Sequence, residues 1–170
     1  LTHTVADGVR VVVSSGGPAG AAASEGQAYG LLLTGLAMTS AQGSSPPYRQ
    51  ALTFGEELFA GSRRMCAMSR RSCQEDGQAM CGGKQGKRSG ESTPGFSACL
   101  PAWRFDVSLR SQLLSGSASD ADEDALLGLL LMLACSDALL WPAWHAAAAW
   151  AYETARAFLQ YNTIEAPEGL

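Results

Sequence analysis

Two apolar segments constrain the fold of this 170-residue chain more than any other feature. Residues 29–38 would be apolar on nearly all sides of a helix, and residues 121–135 contain the longest apolar run in the chain. Such helices are stable only when other elements cover them, so the sequence predicts two buried helices. Gly26, Gly30 and Gly35 lie in or near the first helix, where each costs about 1 kcal/mol relative to Ala. Their presence indicates that another backbone or a ligand approaches closely.

Further helices are predicted around these two. Phe54, Leu58 and Phe59 recur at helical spacing within about residues 47–60, and Pro142 is suited to the first turn of a last helix that runs to about residue 161. Residues 1–24 have the pattern of an extended, strand-like lead-in. Since helix follows helix with no paired strands between them, the sequence predicts an all-α fold.

Residues 61–95 differ in kind from the rest. They contain no Val, Ile, Leu, Phe, Tyr or Trp, but they hold seven of the twelve basic residues and three of the five cysteines. A segment without large apolar side chains is not expected to build a core, so we predict an irregular insert here. Two explanations stay open, a genuine flexible loop and a stretch translated in the wrong reading frame.

Charge and cysteine spacing exclude several classes of partner. The formal net charge of −4 argues against nucleic-acid binding, which requires a basic surface. No run approaches the ~18 apolar residues of a membrane span. The five cysteines form no C-x-x-C pair, so we predict neither a metal nor another cofactor.

Two motifs place carboxylates where apolar helices begin. The first is Ser-Glu-Gly-Gln-Ala-Tyr-Gly at residues 24–30, in which Ser24 and Gln27 have the spacing of a capping box. The second is Ala-Ser-Asp-Ala-Asp at residues 118–122. Acids at helix starts are stabilising without any further role. However, the glycine, amide and phenol around Glu25 suit sugar binding, and the acids around Asp120 exceed what capping requires.

Both motifs, in this order, resemble those of glycoside hydrolase family 8, whose members act on β-1,4-linked polysaccharides such as cellulose or chitosan. The segment Leu-Pro-Ala-Trp at residues 100–103 also resembles the approach to the family's second motif. The resemblance implies that Glu25 is the catalytic general acid and that Asp120 is the aspartate at the cleaved sugar. It further implies a group of substrate-binding residues, Gln27, Tyr29, Trp103 and Asp122.

The resemblance also sets an expectation for the fold. The family fold is an (α/α)6 barrel of six helix pairs, whereas this chain offers four to five helices. We therefore expect residues 1–170 to form a single, truncated catalytic domain, an incomplete (α/α)6 barrel of helix hairpins that corresponds to the N-terminal half. The catalytic base of this inverting family cannot be assigned to any residue here, and the family implies a secreted or periplasmic location. The alternative is a helical remnant without catalysis, either carbohydrate-binding or structural.

Overall fold

The computed structural model of the chain describes residues 2–6, 8–14, 20–41, 43–76, 100–114 and 118–162. The strands are β1 (Thr2–Ala6), β2 (Val9–Ser14), β3 (Ala21–Ala23), β4 (Arg104–Asp106) and β5 (Gln112–Leu114). The helices are α1 (Ser24–Ser40), α2 (Pro46–Asp76), α3 (Ser119–Cys135) and α4 (Trp144–Asn162). Within these described ranges, no helix combines the length and the apolar character that a membrane span requires.

The five strands form one antiparallel sheet in the order β1-β2-β3-β4-β5, so the predicted all-α fold class is wrong. The sheet escaped prediction because the pairing of β3 with β4 joins distant parts of the chain. Ala22 in β3 faces Phe105 in β4, and β3 itself consists of three alanines, which carry no strand signal. The expected incomplete (α/α)6 barrel is therefore corrected to a mixed arrangement of helices and sheet.

The helices pack as two antiparallel hairpins, α1 with α2 and α3 with α4. Between the hairpins α1 and α3 lie side by side in parallel, because Gly128 contacts Leu31 and Leu32 while Leu131, three residues further on, contacts Gly35. The core between the helices includes Phe59, whose ring meets the rings of Trp141 and Trp150 edge-on at 5.8 Å in both cases. A second core cluster, which includes Val11, Met65, Phe105 and Leu109, lies between α2 and the sheet.

Glycine makes the contact between α1 and α3 possible. A methyl group added at Gly35 would lie 2.7 Å from the carbonyl oxygen of Gly128, and one added at Gly128 would overlap the backbone of Leu31 and Leu32. The two backbones therefore touch without intervening side chains. The expectation that glycines in the first helix mark a close approach is confirmed at Gly35.

Helix α2 extends well beyond its predicted end and corrects the boundary of the expected insert. Residues 61–76 continue the helix, with Ser62, Met65, Cys66 and Ser69 buried. Methionine and cysteine supply apolar surface here, and the Ser69 hydroxyl accepts a hydrogen bond from Ala102 N–H at 2.8 Å. The prediction of an irregular insert is therefore wrong for residues 61–76. Buried serine, methionine and cysteine side chains pack against the fold here without any larger apolar residue. The rest of the predicted insert, residues 77–95, lies outside the described residues.

One long face of α1 and one long face of α3 remain exposed to solvent. Helix α2 covers the side of α1 that lies opposite its exposed face, and α4 covers the corresponding side of α3. The large apolar side chains of the exposed faces are Tyr29, Leu33, Leu36, Leu127 and Leu130. Helical periodicity places Glu25 on the same face as Tyr29, and Asp120 on the same face as Leu127. The carboxylates of both motifs therefore lie at the N-terminal ends of solvent-facing helix surfaces.

The contact between the central helices yields a prediction for stability. Gly128→Ala should lower the free energy of unfolding by at least about 2 kcal/mol, because overlap with backbone outweighs the ~1 kcal/mol gain in helix propensity. Gly43→Ala is the matched control, since a methyl group there meets nothing within 4 Å. Urea denaturation of both variants measures the effect. Equal stability of the two variants would mean that α1 and α3 are not in backbone contact.

Candidate functional site

The candidate site lies where α1 and α3 begin. Because the two helices run in parallel, their first turns are neighbours, and Ser24 of α1 lines the same small cavity as Ala121 and Asp122 of α3. Glu25 and Asp120, the predicted catalytic pair, thus belong to adjacent helix ends. Glu25 is partly exposed and Asp120 is exposed, so both carboxyl groups are accessible to a ligand.

The sheet brings Trp103 to the same place. Ala23, the last residue of β3, pairs with Arg104, the first residue of β4. At the junction that follows, the Ser24 N–H donates a hydrogen bond of 2.9 Å to the carbonyl oxygen of Trp103. The Trp103 residue remains 42% exposed beside the first turn of α1. A residue 78 positions further along the chain than Glu25 thereby lies next to the same helix start.

Asp120 and Asp122 occupy opposite environments although only Ala121 separates them. Asp120 is exposed, whereas Asp122 is only 2% exposed and its Oδ2 atom has no hydrogen-bond partner among the described residues. Burial, reinforced by the negative charge of Asp120, raises the pKa of Asp122 from an ordinary value of 3.8 to about 7. Asp122 therefore faces the interior and holds a proton close to neutral pH, while Asp120 faces solvent.

Gln27 fastens the start of α1 to the rest of the fold. Its Oε1 atom accepts a hydrogen bond from Val12 N–H at 3.0 Å, and its Nε2 atom donates to the carbonyl oxygens of Arg10 at 3.1 Å and Leu58 at 2.7 Å. The buried amide thus joins β2, α1 and α2. It does not complete the predicted capping box, because the helix N-cap is Ala23 and carries no side-chain cap.

Tyr29 lies one helical turn further along the exposed face of α1 than Glu25. It lines an apolar groove of about 590 Å³ between α1, α2 and β2, together with Gly26, Leu33 and Phe54. Its side chain is about half exposed. Of the predicted substrate-binding residues, the structure brings Trp103 to the helix starts, places Gln27 and Asp122 beneath them, and sets Tyr29 one turn along α1.

Sequence reasoning missed the group that lies opposite Asp122. Thr154 of α4 is 1% exposed, lines the same cavity, and has an unpartnered Oγ1 atom among the described residues. The sequence does contain a signal for the burial of Thr154, because this residue follows Ala147 and Ala151, which are buried, at helical spacing. A lone hydroxyl on an otherwise apolar helix face indicates a polar partner across the interface.

The buried carboxyl of Asp122 should make the stability of the chain fall as pH rises. Below its ordinary pKa, Asp122 is protonated in both the folded and the unfolded chain, so burial carries no ionisation penalty. Between pH 3.8 and about 7 the unfolded chain loses this proton while the folded chain keeps it. The penalty grows through that range to on the order of 4 kcal/mol and stays constant above it.

Asp122→Asn removes this ionisation. We expect the stability difference between the variant and the wild-type chain to shift in favour of the variant from pH 4 to pH 8, as measured by urea denaturation. Glu123→Gln, which changes the neighbouring exposed carboxylate, is the control and should follow the wild-type pH dependence. The same pH dependence for Asp122→Asn and the wild-type chain would contradict the raised pKa of Asp122.

None of the protein-family models, curated proteins and solved structures with which the chain was compared matches it. The resemblance to glycoside hydrolase family 8 therefore stays an expectation from short motifs, residues 24–30 and 118–122 with the segment at residues 100–103.

Proposed function

We propose that the chain carries part of the active site of a glycoside hydrolase that cleaves a β-1,4-linked polysaccharide, a cellulose-like glucan, with inversion. The observation that supports it best is the parallel pairing of α1 and α3, which brings together the first turns that contain Glu25 and Asp120. These are the two carboxylates that the motif resemblance assigns to catalysis. Their accessibility and the neighbouring exposed Trp103 agree with an open, sugar-binding surface.

Each of these groups has a distinct task in the proposed reaction. Glu25 protonates the glycosidic oxygen as the bond to the leaving sugar breaks, which is the part of a general acid. Asp120 accepts hydrogen bonds from hydroxyl groups of the cleaved sugar and stabilises positive charge that develops on its ring. The Trp103 indole offers a flat apolar surface to the face of a sugar ring, while its edge stays in contact with water.

The proposed inverting reaction also needs a carboxylate base about 6.5–9.5 Å from the acid, on the far side of the sugar. Asp122 does not suit this task, because it is buried and holds a proton near neutral pH. No other residue is assigned to it. We therefore expect residues 1–170 alone to bind a β-1,4-glucan oligosaccharide and to hydrolyse it poorly.

Binding tests the placement of Trp103 in the site. Cellohexaose titrated into the 170-residue chain and followed by NMR should perturb the amide signals of Glu25 and Trp103. Trp103→Ala should weaken the affinity about fivefold to tenfold, since an exposed aromatic contact contributes about 1 kcal/mol. Tyr152→Ala removes an exposed aromatic side chain of α4 and should leave the affinity unchanged. Equal affinities for both variants would remove Trp103 from the proposed site.

Catalysis tests the assignment of Glu25. In a form of the protein that hydrolyses β-glucan, Glu25→Gln should lower kcat at least ~100-fold, the usual contribution of a general acid. Glu56→Gln changes a carboxylate of α2 outside the proposed site and serves as the control. Reducing-end release from a soluble β-glucan measures the rate. Binding of cellohexaose without any Glu25-dependent hydrolysis would favour a carbohydrate-binding protein instead.

A further inference from the structure

A small cavity with a mainly apolar lining and several polar groups lies beneath the candidate site, where all four helices meet. It offers about 10 Å³ to the centre of a water molecule, which is close to the smallest space that holds one water. The side chains that line it include Ser24 and Gln27 from α1, Ser62 from α2, Asp122 from α3, and Trp150 and Thr154 from α4. A cavity of this size is commonly dry when apolar, so the polar groups among its lining residues are the observation to explain.

Two of the lining groups are buried and unsatisfied. Asp122 Oδ2 and Thr154 Oγ1 have no hydrogen-bond partner among the described residues, and both side chains are at least 98% buried. Each such atom costs about 1–3 kcal/mol if it stays unpaired. Two unsatisfied atoms on one cavity are therefore a strong reason for a bridging molecule.

Thr154 also departs from three other buried Ser and Thr side chains within the described helices. The side chains of Thr34, Ser62 and Ser69 each donate a hydrogen bond to the carbonyl oxygen four residues earlier, at 2.7, 3.2 and 3.0 Å. Thr154 has the same opportunity within α4 but does not use it. Its hydroxyl is thus available to the cavity instead of to its own helix.

We propose that the cavity is a binding site for one water molecule that joins Asp122 of α3 to Thr154 of α4. The water has enough partners for a stable site. Besides the two unsatisfied atoms, the hydroxyl oxygens of Ser24 and Ser62 each retain acceptor capacity, because each is engaged as a donor. Buried waters typically make about three hydrogen bonds. The proposal does not depend on the proposed glycosidase activity.

The charged groups around the cavity determine how the water affects the pKa of Asp122. Among the residues that the structure describes, no Lys, Arg or His lines the cavity, so none of their cations compensates the ionised carboxylate. The charged groups adjacent in sequence to lining residues, or acting on Asp122, are Glu25, Arg63, Arg64, Asp120, Glu123, Asp124 and Glu153. A water that donates to Asp122 Oδ2 stabilises the anion, so its loss should raise the pKa of Asp122 further.

Thr154→Val tests the site, because valine has nearly the same shape but no hydroxyl. In the 170-residue chain we expect a lower urea midpoint, since the water and Asp122 lose a partner. We also expect the pKa of Asp122, followed by ¹³C NMR of its side-chain carboxyl, to rise by roughly 0.5 or more. Thr154→Ser keeps the hydroxyl and should retain the wild-type pKa.

A dry cavity gives the opposite result. Valine would then relieve an unsatisfied hydroxyl, so the urea midpoint would rise and the pKa of Asp122 would stay unchanged, which would overturn the proposal. The wild-type chain gives a direct readout as well. A nuclear Overhauser effect between water and the Thr154 methyl group supports the site, and its absence counts against it. Neither measurement involves a sugar, so failure here is distinct from failure of the proposed function.

Discussion

Direct backbone contact between α1 and α3 is the constraint from which the rest of the arrangement follows. Gly35 and Gly128 let the two helices touch without side chains between them. In this parallel pair, the close contact also brings the first turns of the two helices together. α2 and α4 then pack on one side of the pair, which leaves the other side exposed. A bulkier residue at either glycine would separate the two helix starts as well as the helices.

The candidate site shows how one turn of helix can assign different tasks to similar residues. Asp120 and Asp122 are chemically identical, but two residues along a helix correspond to a rotation of about 200°, which turns one outward and the other inward. Asp120 is exposed to solvent and accessible to a ligand. Asp122 is buried, and burial keeps a proton on its carboxyl group near neutral pH. The pattern of two aspartates alone therefore does not reveal which of them can meet a ligand.

Local patterns were sufficient to predict where the helices begin, but not the full length of α2 and not the sheet. The predicted start of the first helix at Ser24 agrees within one residue with the observed N-cap at Ala23, because an acid and an apolar run are local signals. The pairing of Ala22 with Phe105 leaves no such signal, since it depends on residues 83 positions apart. The capping role predicted for Gln27 is wrong for the same reason. Its side-chain amide instead forms hydrogen bonds with three backbone groups of other elements.

The pairing of β3 with β4 also has a consequence for the order in which the chain folds. Joining two strands of three residues across about 80 residues closes a long loop, at an entropic cost on the order of 4 kcal/mol. The hairpin of β1 and β2 and the adjacent helices α1 and α2 need far shorter loops and so face smaller barriers. Trp103 reaches its place beside Glu25 only through the long closure. We therefore expect the surface proposed to bind sugar to assemble late in folding.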